Sequence, residues 1–176
     1  MFIRTKKVKE YRYAYLCKSI WQKRKKKPKQ VDCKYLGKAF NFDVSDKKSF
    51  LEFSGIKDVD EYAGGKKFEE IIKDLIKYEL MIRGFNVDND MLVKDELSFS
   101  LKDFGYMWGK KIKNCVIEMN EGFLCKESLD GVFKFEYDEY KSSSENGFIL
   151  ARLIIDAGLR IDHQLFVEMF KKLVKE

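Results

Sequence analysis

The sequence predicts an α+β fold, with a basic β-hairpin at the N-terminus, a central helix with short strands, and a C-terminal helical pair. Three patterns carry this prediction. Tyr11 to Trp21 and Val31 to Gly37 alternate with period two and are rich in aromatic and β-branched residues, as strands are. Lys66 to Arg83 carries Phe68, Ile71, Ile72, Leu75, Ile76, Leu80 and Ile82 at helical spacing, with Gly84 just beyond. Two further apolar stripes close the chain, each ended or preceded by a helix signal.

The first element is the hairpin. Tyr11, Tyr13, Tyr15, Cys17, Ser19 and Trp21 fall on one face of its first strand, opposed by Val31, Cys33 and Tyr35 from the second. Pairing residues whose numbers sum to 50 sets Cys17 opposite Cys33, Tyr15 opposite Tyr35 and Ser19 opposite Val31. Gln22 to Gln30 reads as a long cationic tip, with Pro28 in the turn, and Phe2 to Val8 supplies a third strand.

Next, Ser45 or Asp46 is expected to cap a short helix bearing Phe50, Leu51 and Phe53, stopped by Gly55. Gly64-Gly65 then punctuates the chain before the central helix. Val87, Met91 to Val93, Leu97 to Leu101 and Cys115 to Ile117 read as short strands separated by Asp88-Asn89-Asp90 and Gly105. Val132 to Tyr137 alternates like a strand, while Lys126 to Leu129 suits a helical turn. Gly147 to Ala157 and a helix capped by Asp162, with Leu165, Phe166, Met169, Phe170 and Leu173 on one face, form the closing pair. Their short connection, Gly158 to Ile161, favours mutual contact. The reading divides the chain into a hairpin, residues 1–40, and an α+β body, residues 41–176.

Charge follows the same division. The 176-residue chain has 35 basic and 29 acidic residues. Residues 1–40 hold 14 of the basic groups against Glu10 and Asp32, a net of +12, leaving −6 for the body. Such asymmetry speaks of partners rather than fold. Lys23, Arg24, Lys25, Lys26, Lys27 and Lys29 crowd the tip; Arg4, Arg12, Lys18 and Lys34 lie along the strands. Set against phosphates, these ten side chains would release condensed counterions and bind nucleic acid in a salt-sensitive way. A two-stranded ribbon also matches the width of a major groove, and the tyrosines suit either base stacking or burial against the body.

The segment MFIRTKKVKEYRYAYLCKSIWQKRKKKPKQVDCKYLGK resembles the N-terminal region of some insertion-sequence transposases. The shared layout is Phe2-Ile3-Arg4, a tyrosine-rich strand, a basic turn, and a strand ending Tyr35-Leu36-Gly37. In that family the region precedes the catalytic domain and contacts DNA. The resemblance covers less than a quarter of the chain and implies DNA in preference to RNA. It implies no catalysis, since an Asp-Asp-Glu core does not fit in the remainder.

Chemistry-bearing motifs are sparse. His163 is the one histidine, so neither a multi-histidine metal site nor a serine-hydrolase base is apparent, and no phosphate-binding Gly-rich loop occurs. Cys17, Cys33, Cys115 and Cys125 include no Cys-x-x-Cys spacing. The basic N-terminus lacks an apolar signal core and no run is long enough to span a membrane, which points to the cytoplasm and reduced thiols. Glu79, Gly84 to Val87, Asp90 or Asp95, and Glu118 resemble the order of restriction-like nucleases, though Met119-Asn120 replaces the expected lysine. The expectation is a non-catalytic nucleic-acid-binding protein without cofactor or metal. Alternatives are a magnesium-dependent nuclease, or a protein adaptor or homodimer using Glu121, Glu127, Asp130, Glu136, Asp138 and Glu139.

Overall fold

The computed structural model describes residues 1–109, 111–112 and 114–175. Strands β1 (Phe2–Val8), β2 (Tyr11–Gln22) and β3 (Lys27–Asn41) form an antiparallel ribbon. Its base is built into the body, because the end of β3 pairs in parallel with β9 (Cys115–Met119), which turns back into β10 (Gly122–Leu124). The resulting sheet has the order β1-β2-β3-β9-β10.

Cys17 faces Cys33 and Tyr15 faces Tyr35, as the alternation predicts. Ser19, however, pairs with Gln30 rather than Val31. Register shifts fall between Ala14 and Tyr15 and between Cys17 and Lys18, leaving Leu36 and Asp32 as extra residues on β3. Such bulges bend and twist the strand that carries them. Gly37, beside the first shift, has φ +124°, and a Cβ there would lie 1.8 Å from the Asn114 carbonyl oxygen. Only glycine allows that backbone approach.

The tip is shorter than the lysine run suggests. Trp21 pairs with Pro28 and Gln22 with Lys27, so four residues, Lys23 to Lys26, make the turn. Pro28 belongs to β3 itself. β9 meets β3 only from Lys38 onward, so the missing N–H costs no ladder bond on that open side.

Between β3 and β9 run α1 (Phe50–Ser54), α2 (Val59–Gly64), α3 (Phe68–Met81) and a second antiparallel sheet, β4 (Asn86–Asp88), β5 (Met91–Lys94), β6 (Leu97–Ser100), β7 (Tyr106–Trp108) and β8 (Lys111–Ile112). The cap of α1 is Ser49, not Ser45 or Asp46. Its hydroxyl accepts from Glu52 N at 3.3 Å and the Glu52 carboxylate accepts from Ser49 N at 2.8 Å. That is a capping box, and those bonds lower the Glu52 pKa. Ser45 instead ties the connector to the end of α3, donating through N and Oγ to the Ile82 carbonyl, each at 2.7 Å.

After β10 come α4 (Lys126–Phe133), α5 (Ser143–Asp156) and α6 (His163–Lys175). The strand expected over Val132 to Tyr137 does not form. Leu129 and Val132, three residues apart, are buried from one helical face, and Phe133 stacks on Phe104 at 4.6 Å. The closing helices are both present, but α5 lies mainly against α4 and β10, and α6 mainly against α2 and α3. Gly122 permits the first arrangement: a Cβ there would sit 2.1 Å from the Ile155 carbonyl oxygen.

Two cores result. The larger joins Ile71, Ile72, Leu75, Ile76 and Leu80 of α3 to Leu92 and Phe99 of the second sheet, Ile117, Leu124, and Leu150 and Leu165 from the last helices. The smaller joins Ala14, Leu36 and Ala39 of the ribbon to Val116 and Cys125, with Ile3, Leu16 and Phe123 at its edge. β9 serves both, with Cys115, Ile117 and Met119 in one and Val116 in the other, which explains the apolar run Cys115 to Ile117.

Candidate nucleic-acid interface

The two faces of the ribbon differ. One carries Ile3, Ala14 and Leu16 into the small core. Arg12 stands among this set: its Nη1 lies 2.8 Å from Glu118 Oε2, and Nη2 donates to Thr5 Oγ1 at 2.7 Å. Lys34 Nζ lies 2.9 Å from Glu127 Oε1, and that bond raises the lysine pKa. Arg12 and Lys34, both predicted phosphate ligands, are therefore engaged by carboxylates of the body.

The opposite face is aromatic. Tyr35 packs between Tyr13 and Tyr15, with ring centroids 6.2 and 5.6 Å away and planes tilted by 45° and 56°. Arg4 pairs with Tyr15 across β1 and β2, and Lys6 with Tyr13. Lys38 Nζ rests 3.8 Å from the centroid of Tyr11, a cation–π contact. Partial burial, then the neighbouring tyrosines, push the Tyr35 phenol pKa up. The tyrosines pack mostly on one another, and Tyr11 and Tyr35 remain 49% and 48% exposed.

At the tip, Lys23 to Lys25 form one 3-10 turn and Lys26 adopts a left-handed conformation with φ 46°. Lys23, Arg24, Lys25, Lys26, Lys27 and Lys29 are all exposed, and among the described residues none forms an ion pair. Lys18 is exposed in the same way. Two features of the ribbon lie outside the predicted site. At its base Lys6 and Lys38 join the tyrosine side, legible only from register, and at its tip Trp21 is 63% exposed beside the cations. Trp21 had a signal, since it continues the odd-numbered row of β2.

Of the residues assigned to a nuclease, Glu79 is 0% exposed and receives Arg83 Nη1 at 2.5 Å and Arg160 Nε at 2.9 Å. Arg83, 2% exposed, also donates through Nη2 to Asn120 Oδ1 at 3.0 Å. Glu118 holds Arg12, and Asp90 and Asp95 lie exposed in turns of the second sheet. Among the described residues, no group of three or more His, Cys, Asp or Glu side chains is placed to hold a metal ion. Of the acids assigned to an adaptor surface, Glu127, Asp130 and Asp138 pair with Lys34, Lys134 and Lys141 of the same chain. The four cysteines form no disulfide, and no helix among the described residues is long and apolar enough to cross a membrane.

Comparison with protein-family models, with curated proteins and with solved structures finds no match for this chain.

Proposed function

We propose that this chain is a non-catalytic nucleic-acid-binding protein, with DNA favoured over RNA, that grips phosphates with the end of its N-terminal ribbon. One observation carries the reading: six cationic side chains crowd a four-residue turn and its flanks, exposed and without carboxylate partners among the described residues. In isolation these charges repel one another, whereas a polyphosphate relieves the repulsion and gains entropy from released counterions. Lys18 extends this surface down the ribbon. Arg12 and Lys34 pair with Glu118 and Glu127 of the body instead.

With six phosphates neutralised, affinity falls about 10³-fold between 50 and 200 mM salt. The test is a titration of duplex DNA, single-stranded DNA and RNA at both salt concentrations, with the wild type and a variant carrying Ser at 23–27. Loss of binding and of the salt slope in the variant is the expected result. Unchanged affinity overturns the assignment.

A further inference from the structure

The phosphate reading leaves the aromatic residues of the ribbon unused. Trp21 and Tyr11 of β2 are 63% and 49% exposed and Tyr35 of β3 48%, on the ribbon face opposite the one that meets the small core at its base. Large exposed aromatics grouped on one face mark an interaction surface more often than isolated ones do. Both extra residues of the ribbon lie on β3, so β2 keeps its alternation, and Trp21 belongs to the same row as Tyr11, Tyr13 and Tyr15. Alternate residues on a strand are about 6.7 Å apart, which sets Trp21 roughly 20 Å from Tyr15 along the row. The row ends among the six tip cations, and Lys6 flanks Tyr13.

Resting on the nucleic-acid reading above, we infer that this face selects nucleic acid with unpaired bases, which stack on Trp21 and on the Tyr35 cluster while the tip cations hold the phosphates. The charge of the tip does not select a single strand, since a duplex is the denser polyanion. The rings do, because a duplex hides the flat faces of its bases and a single strand offers them. Aromatic platforms beside a cationic track are the physical recipe for such binding, and stacking tolerates any base. Cation–π contact between Lys38 and Tyr11 steadies the lower end of the row.

The test uses the full chain with a thymine oligonucleotide of 20 bases and a duplex of equal length, at one moderate salt concentration. Wild type is expected to bind the single strand at least tenfold more tightly than the duplex. Trp21→Ala and Tyr35→Ala should each weaken single-strand binding about tenfold and change duplex binding less than twofold, whereas Trp21→Phe retains most of the affinity. Trp21→Ala weakening both ligands equally, or neither, overturns the inference, as does a wild type without strand preference. These outcomes are separable from failure of the phosphate reading, which shows instead as undiminished binding of both ligands when residues 23–27 are Ser.

Discussion

Replacing Glu79 with leucine tests the charge network at the junction of α3, β9 and the loop before α6. Glu79 is wholly buried and compensates Arg83, which is 2% exposed. Arg160 is half exposed and can turn to water, so its loss weighs little. Arg83 keeps two acceptors after the change, the Glu79 backbone carbonyl at 2.8 Å and Asn120 Oδ1 at 3.0 Å, but its charge stays buried and unpaired. Its Nε already has no hydrogen-bond partner among the described residues. Breaking one half of a buried pair costs about 3–5 kcal/mol. The two retained acceptors place this case near the lower end, about 3 kcal/mol. In urea, with a slope of about 2 kcal/mol per M, the unfolding midpoint falls by roughly 1.5 M. Glu79→Leu combined with Arg83→Met removes the stranded charge and should recover at least half of the loss. A single variant within about 1 kcal/mol of wild type, or a double variant no more stable than the single, refutes the reasoning.

Three further results are expected. Gly122→Ala drives a methyl group into the Ile155 carbonyl and the Gly158 amide, backbone atoms that cannot rotate away, and should cost about 3 kcal/mol in thermal or chemical unfolding; a loss below about 1 kcal/mol means that β10 and α5 do not approach as described. In native alkylation followed by mass spectrometry, exposed Cys33 should react first and buried Cys17, Cys115 and Cys125 only on unfolding. Burial pushes the Cys115 thiol from 9.0 up to about 12. The folded state thus holds a proton that the unfolded chain releases, and stability should decline as pH rises from about 9 towards 12. Urea midpoints that stay level across that range in wild type, or that fall equally in Cys115→Ala, contradict it.

Elements that depend on local pattern were readable from the sequence. The apolar stripe of α3 and the glycine after it located that helix to within two residues at each end. The tyrosine alternation found β2, because its other face meets the small core. What failed depended on distant partners. Val132 to Tyr137 alternates, yet Leu129 and Val132 meet the core at helical spacing, and Phe133 finds Phe104 nearly thirty positions earlier. The lysine run looked like a loop because like charges and a proline disfavour a strand; the ribbon survives there because Pro28 borders no third strand. The α1 cap was misplaced although Ser49 and Glu52 have capping-box spacing. At the candidate interface, the tip cations were visible as a run. The sorting of Arg12 and Lys34 onto the carboxylate-bearing face was not, since their partners lie 106 and 93 residues away.

β3 is one unbroken strand of 15 residues, roughly 50 Å of extended chain. Its first residues flank the turn, and its last four, Lys38 to Asn41, are bonded to β9 inside the body. No linker separates the two ends, so a load applied to the turn travels down this single backbone into the hydrogen bonds of the central sheet. The ribbon is a lever anchored in the core, and whatever grasps its far end pulls directly on the protein's interior.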